Sequence, residues 1–410
     1  MSPNRTRIYS AKNEGVRRHK PDYLLVMLAT VLCGVGLILI VAISPALSAQ
    51  NDVSGSFYVV RQLVALLIGA VLFAITSRLD LRLLSWLRTP LIVASTLAVG
   101  AVLAISGIAF RWIQIGGMSF QPAELIKFTI VITLSWFLAR QAANQELDDD
   151  RKTLWPIAIG VGAAVFAVMI LERDLGSTMV MAAIVLAMLF MANVPLRRIG
   201  LATIALLVVA SLAIMSTPYR RDRFMTFMNP ERDCSTTGYH ACQALIAVGS
   251  GGLVGLGVGN SIQAYGYLPE AANDSIFAIY AEKFGFIGSV LLVALFGFLF
   301  MRIVRIVKRA PDVHQRLLAT GVLAWLSSQT IINIGAMIGL MPLKGITLPF
   351  ISYGGTSLMF VLGALGLVFR ISGLTLARRS VFSNRGEDYD DNRSGRWRDS
   401  RSRYAATRSR

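Results

Sequence analysis

Residues 23–44 read YLLVMLATVLCGVGLILIVAIS, an apolar run with no charged side chain. Coiled as an α-helix, a run of this length crosses the hydrocarbon core of a bilayer. Further runs long enough to span recur at about 57–77, 90–108, 122–139, 154–171, 176–193, 199–216, 281–303, 316–340 and 353–371. The expected fold is therefore an all-α integral membrane protein of about ten transmembrane helices. Composition agrees: 55% of the 410 residues are hydrophobic and 15% are charged. No soluble core of this size hides so much apolar surface.

The net charge of +17 raises nucleic acid as a partner, but the cations sit in the tails and alternate loops, so no nucleic acid is expected. Residues 1–22 carry Arg5, Arg7, Lys12, Arg17, Arg18 and Lys20. The run that follows is too long for a signal-peptide core and has no clear small-residue cleavage site, so it reads as a first anchor. Arg78, Arg82 and Arg88, then Arg140, Arg151 and Lys152, then Arg197 and Arg198, then Arg302, Arg305, Lys308 and Arg309 fall on one side if the spans alternate. The positive-inside rule makes that side cytoplasmic, with both termini inside. The division is a basic N-terminal tail (1–22), a transmembrane domain (23–371) with a large outer loop at 217–280 between helices 7 and 8, and a basic tail (372–410). The last is too poor in aliphatics to bury a core and is expected to be disordered.

Charge placed near membrane depth on the outer side is the functional signal. Glu124 and Lys127 follow Pro122 and share a helix face; they form either a self-neutralising pair that eases insertion or a charged wall of an outward cavity. Arg111 beside Trp112, and Arg61 beside Gln62, suit either a phosphate, which the guanidinium fork binds through two oxygens, or the membrane interface. Asp174, in the short turn Glu172-Arg173-Asp174, is a candidate ligand or the cap of the next helix. The stretch Tyr267-Leu268-Pro269-Glu270-Ala271-Ala272-Asn273-Asp274-Ser275 sets Glu270 and Asp274 before an apolar helix. Asp274 caps that helix, or its partly desolvated carboxylate serves as a general base. Lys344 and the Pro- and Gly-broken stretch 348–357 expose backbone N–H groups for an anion or shape a re-entrant turn. The glycine run 249–259 lacks a GxGxxG spacing and a preceding strand, which excludes a dinucleotide site and favours close backbone packing. The histidines, His19, His240 and His314, are too scattered for a zinc cluster.

In combination these segments carry a resemblance. Arg111-Trp112-Ile113 with Gln121-Pro122-Ala123-Glu124-Leu125-Ile126-Lys127, Asp174-Leu175-Gly176-Ser177, Asn229-Pro230, Gly257-Val258-Gly259-Asn260-Ser261-Ile262-Gln263, Tyr267-Leu268-Pro269-Glu270 with Asp274, and Pro349-Phe350-Ile351-Ser352-Tyr353-Gly354-Gly355 resemble the SEDS proteins (shape, elongation, division and sporulation) over about residues 23–371. Asn260-Ser261-Ile262-Gln263 looks more like the division branch, FtsW, than the elongation branch, RodA. The family pattern often has Thr-Asp-Phe at Asn273-Asp274-Ser275 and Gln-Pro-Asp at Glu172-Arg173-Asp174; neither departure removes an acidic side chain.

The resemblance implies a ten-helix SEDS fold in the bacterial cytoplasmic membrane. It implies a peptidoglycan glycosyltransferase that polymerises lipid II at the outer leaflet for septal wall synthesis. The alternatives are a lipid II flippase and an elongation-type polymerase. A class B penicillin-binding protein transpeptidase and other divisome membrane proteins are the implied partners. The family's essential aspartate maps onto Asp274 as catalytic base. Arg111, Lys127, Glu124, Glu270, Asp174, Arg61 and Lys344 are the candidate substrate and diphosphate ligands. Glu124 either holds Lys127 or, with Asp274, binds a divalent cation, magnesium or manganese. Cys234 and Cys242 are candidates for a disulfide, because their loop faces an oxidising compartment.

Overall fold

Asp22 opens the first helix: its side chain accepts from the Leu25 amide at 3.3 Å and so satisfies a donor that the first turn leaves unpaired. In the computed structural model, which describes residues 16–18, 20–106, 112–115, 118–147, 149–170, 172–215, 218–228, 234–236 and 238–376, that helix is α1 (Tyr23–Gln50). There follow α2 (Phe57–Arg78), α3 (Leu84–Ser106), α4 (Pro122–Ala143), α5 (Leu154–Ile170), α6 (Leu175–Met191) and α7 (Leu196–Met215). The chain continues through α8 (Pro218–Met228), α9 (Tyr239–Ser250), α10 (Ile276–Arg309), α11 (Val313–Met337) and α12 (Gly355–Ser372).

Seven of the described helices are long and apolar enough to cross a membrane: α1, α2, α3, α4, α10, α11 and α12. The two 17-residue helices α5 and α6 are apolar but shorter. The protein is a multi-pass membrane protein. Leu67, Trp86, Leu97 and Ile105 are exposed along α2 and α3, as lipid-facing side chains are. Burial separates centre from rim, with 72% of the apolar window buried in α4 and α11 against 11% in α3. Helix α12 packs along α2, and α11 touches α4, α6, α10 and α12.

Three expectations shift. The third span begins at Leu84, not 90, because Pro90 lies inside α3; membrane helices tolerate a proline where neighbours re-satisfy the freed carbonyl. The segment 217–280 is not an open loop, for it holds α8, α9 and a 3-10 turn at Gln263–Tyr265. The eighth expected span starts early, at Ile276, and is broken at Gly285.

At one end of the bundle, Arg302 donates to Asp22 Oδ2 through Nε at 2.9 Å and Nη2 at 2.6 Å. The Asp22 amide donates to Ser372 Oγ at 2.9 Å. The start of α1 is thus tied to α10 and to the end of α12. The helices belong to one unit, residues 19–374. Strands β1 (Val16–Arg18) and β4 (Leu374–Leu376) pair, and β2 (Ile113–Ile115) pairs antiparallel with β3 (Met118–Phe120). The expectation for the tail beyond residue 376 lies outside the described residues.

Candidate active site

The start of α4 buries a charge pair. Lys127 Nζ lies 2.7 Å from Glu124 Oε1, with the side chains 0% and 3% exposed. Pro122 at the first turn fixes the entry of this helix, and the spacing of three stacks the two side chains. Lys127 Nζ also donates to Gln329 Oε1 at 3.0 Å, which accepts from Trp325 Nε1 at 2.8 Å. Gln329 Nε2 donates to the Thr347 carbonyl at 2.9 Å, and Thr347 Oγ1 donates to Ser357 Oγ at 3.0 Å. One glutamine thus joins α4, α11 and the segment leading into α12. With no exposed surface, Lys127 reaches a diphosphate directly only if Gln329 and Glu124 move.

One turn further along α11, about 6 Å of axial rise from Gln329, Asn333 reaches the Asp274 loop. Its Nδ2 donates to the carbonyls of Asp274 and Ile346, each at 2.7 Å. Ser352 Oγ donates to the Asn273 carbonyl at 2.6 Å and accepts from the Leu348 amide at 2.7 Å. The Tyr353 amide donates to the Ala272 carbonyl at 2.8 Å. The loop backbone at 272–274 is therefore clamped from three points. Asp274 is half-buried. The N-cap of α10 is Ser275, whose side chain makes no cap bond to the helix. Ser275 Oγ instead donates to the Pro269 carbonyl at 2.9 Å and lies 2.7 Å from His240 Nε2. Asp274 sits one residue before the cap.

The remaining candidates separate. Arg61 is half-buried, with Cζ 3.8 Å over the Phe57 ring. It neighbours Tyr353: burial pushes the Tyr353 hydroxyl up from its ordinary pKa, and the Arg61 guanidinium opposes that shift. Lys344 and Ile346 lie against Gly176 of α6, where a Cβ would come 3.2 Å from Lys344 Cβ. Asp174 is the N-cap of α6: it accepts from the Ser177 amide at 3.0 Å and Ser177 Oγ at 2.8 Å. Gln121 Nε2 adds a third donor at 3.0 Å. With three donors on it and 1% exposed, Asp174 fixes α6 to α4 and is closed to a ligand. Glu270 is exposed and accepts from Asn273 Nδ2 at 2.5 Å, so it shapes the loop. Arg111 and the Asn229-Pro230 motif lie outside the described residues. Cys234 and Cys242 are joined, with Cα atoms 5.6 Å apart.

Glu124 offers poor coordination to a divalent cation. One oxygen is taken by the Lys127 ammonium, which already neutralises the carboxylate. Among the described residues no three Asp, Glu, His or Cys side chains converge, whereas magnesium and manganese prefer sets of oxygen ligands.

The glycine run packs into the break in α10. The amides of Leu256 and Gly257 donate to the carbonyls of Glu282 and Lys283, both at 3.0 Å, and Phe286 and Ile287 donate back to Gly252 and Leu253. Gly285 has φ of +65° and Gly255 of +87°, a region that glycine enters without the Cβ penalty. Buried Glu282 receives Ser261 Oγ at 2.5 Å and the Ile262 amide at 2.8 Å, anchoring the path toward Asp274.

Comparison with known proteins assigns this arrangement. The sequence model of FtsW, RodA and SpoVE, described as "Cell cycle protein", matches residues 23–375. The chain belongs to the FtsW/RodA/SpoVE family. It is 36% identical to the "Probable peptidoglycan glycosyltransferase FtsW" of Coxiella burnetii over 362 residues, covering 86% of this chain and 96% of the relative. It superposes on a chain of a solved peptidoglycan synthase complex that coordinates polymerization and crosslinking, with TM-score 0.69, 28% identity and coverage of 86% and 97%. The rod shape determining protein RodA of Thermus thermophilus aligns with TM-score 0.62 and 26% identity over 86% of this chain and 96% of its own. The fold is the SEDS fold. Within this FtsW/RodA/SpoVE member, sequence reasoning passed over Gln329, Asn333 and Glu282. Their signal was present, since a polar side chain in an apolar helix demands a partner.

Proposed function

We propose that this FtsW/RodA/SpoVE protein is a peptidoglycan glycosyltransferase that polymerises lipid II at the outer leaflet of the bacterial cytoplasmic membrane, in septal wall synthesis. The observation that carries this reading is the half-buried Asp274 in a loop whose carbonyls at 272–274 are held by the Tyr353 amide and the Ser352 and Asn333 side chains. Holding the loop backbone at Asp274 limits where its carboxylate can lie, as a positioned proton acceptor requires. The peptidoglycan glycosyltransferase name of the Coxiella relative supports the substrate class.

In the reaction, the 4-hydroxyl oxygen of the acceptor sugar bonds to the anomeric carbon of the donor. Its proton passes to Asp274. The bond from that carbon to the diphosphate breaks, and undecaprenyl diphosphate leaves with the electron pair. Arg61 and Lys344, with Arg111, supply cations for the leaving charge. The buried Lys127–Glu124 pair positions Gln329 and the segment at 347.

A class B penicillin-binding protein is the proposed partner, supported by the synthase complex whose chain shares this fold. Both termini and the basic loops lie in the cytoplasm. The test is polymerisation of labelled lipid II by the purified protein with its cognate transpeptidase. Wild type makes glycan chains, and Asp274→Asn loses about 10²-fold or more in rate, the usual worth of a general base. Equal chains from both discard Asp274 as base. Chains from neither, with both proteins folded and paired, move the assignment to transport or scaffolding.

A further inference from the structure

A groove of about 700 Å³ lies between α3, α4 and α5, formed by residues that the reaction does not use. Ile92 and Val99 of α3, Ile126 and Phe137 of α4, and Ala164 of α5 are among its apolar walls. Away from Thr89 at the Arg88 end, the hydroxyls along it are engaged. Ser95 Oγ and Thr129 Oγ1 bond each other at 2.8 Å; Thr96 donates to the Ile92 carbonyl at 3.0 Å, and Thr133 to the Thr129 carbonyl at 2.7 Å. To a ligand the wall is therefore a hydrocarbon surface. From Ile126 to Phe137 the groove follows α4 for about 16 Å by helical rise, close to the half-thickness, about 15 Å, of a bilayer's hydrocarbon core.

One end is different. Arg88 Cζ sits 3.6 Å over the Trp136 ring, and Arg140 Cζ lies 5.3 Å from the centre of the same ring. Neither arginine forms an ion pair with a described carboxylate. Stacking occupies the face of a guanidinium and leaves its in-plane N–H groups to donate, the geometry that phosphate oxygens accept.

We propose that this groove binds an anionic phospholipid, one acyl chain lying between α3, α4 and α5 and the phosphate held by Arg88 and Arg140 beside Trp136. The length fits a chain from one leaflet, and two unpaired cations at the mouth select a negative headgroup. The orientation proposed above places this mouth at the cytoplasmic leaflet, where anionic lipids attract basic groups. The leaflet, though not the headgroup charge, rests on that orientation.

Gly160 lines the groove, and a Cβ there would meet nothing within 4 Å, so a larger side chain fills the space without touching the fold. Native mass spectrometry of the detergent-purified full chain, titrated with phosphatidylglycerol or phosphatidylcholine, reads binding independently of polymerisation. Wild type retains phosphatidylglycerol about tenfold better. The double variant Arg88→Gln/Arg140→Gln loses that preference, and Gly160→Phe loses both lipids. Ala164→Leu serves the same purpose if Gly160→Phe is not monodisperse. Equal retention of the two lipids by wild type, a preference kept by the double variant, or retention unchanged by the groove-filling substitutions overturns the proposal.

Discussion

Lys127 and Glu124 show how a buried pair can be read in two ways and then separated by experiment. Removing one partner strands a charge, which costs about 3–5 kcal/mol, whereas removing both is often close to neutral. Lys127→Met should therefore lower the thermal midpoint sharply, because Glu124 is 3% exposed. The double variant Glu124→Gln/Lys127→Met should recover most of that midpoint. Polymerisation should stay depressed in the double variant, since Gln329 loses the cation that orients it toward Thr347. Full recovery of rate would assign the pair to membrane insertion alone. Asn333 makes a parallel case: Asn333→Leu leaves the carbonyls of Asp274 and Ile346 without their shared donor, at about 1–3 kcal/mol for each buried group left unsatisfied. Rate should fall at least tenfold, about the worth of 1.4 kcal/mol in a barrier, with the chain still folded by size-exclusion chromatography. An unchanged rate would show that Ser352 and Tyr353 hold the loop unaided.

At the scale of elements, the break in α10 is the feature that hydropathy cannot see. Gly285 lies between Phe284 and Phe286, and the adjacent Glu282-Lys283 does not interrupt the hydropathy enough to divide the eighth span. The break depends on a second segment that enters it, residues 251–257, and sequence says only that such glycines favour close packing. Gly285→Ala would put a Cβ 2.7 Å from the Leu253 carbonyl carbon, at a positive φ that itself costs about 1–3 kcal/mol. It should loosen the segment and expose 251–268 to limited proteolysis. Gly259→Ala is the control, because its Cβ meets nothing within 4 Å; equal cleavage of both variants would remove the junction from the argument. What was legible lay in composition and spacing: the apolar runs, and the Pro122–Lys127 start of α4. The start of α3 lies at Leu84, ahead of the apolar run that begins near 90. Asp174 could be read as a ligand or as a cap; the cap is what the structure displays, with Gln121, 53 residues away, as a further donor. Gln329 and Asn333 were visible only as polar interruptions, since their partners come from α4 and from the segments at 274 and 346–347.

The whole molecule has a sidedness that a single chemical reaction can read, because its own cysteines are quiet. Cys33 is buried in α1, and Cys234 and Cys242 are bonded to each other. An added exposed cysteine is then the sole target for a membrane-impermeant maleimide. Arg151 and Tyr265 are both exposed, the first between α4 and α5, the second between α9 and α10. The proposed orientation puts Arg151 in the cytoplasm and Tyr265, with the Asp274 loop, on the opposite side. Intact cells carrying Tyr265→Cys should therefore label, and Arg151→Cys should label only after lysis. The result bears on chemistry as well as topology. An Asp274 loop outside the cytoplasm would have no access to cytoplasmic nucleotide sugars, as the proposed polymerisation from a lipid-linked donor requires. The reverse pattern would put Asp274 inside, invert the charge argument for every loop, and leave the outer-leaflet reaction without a base.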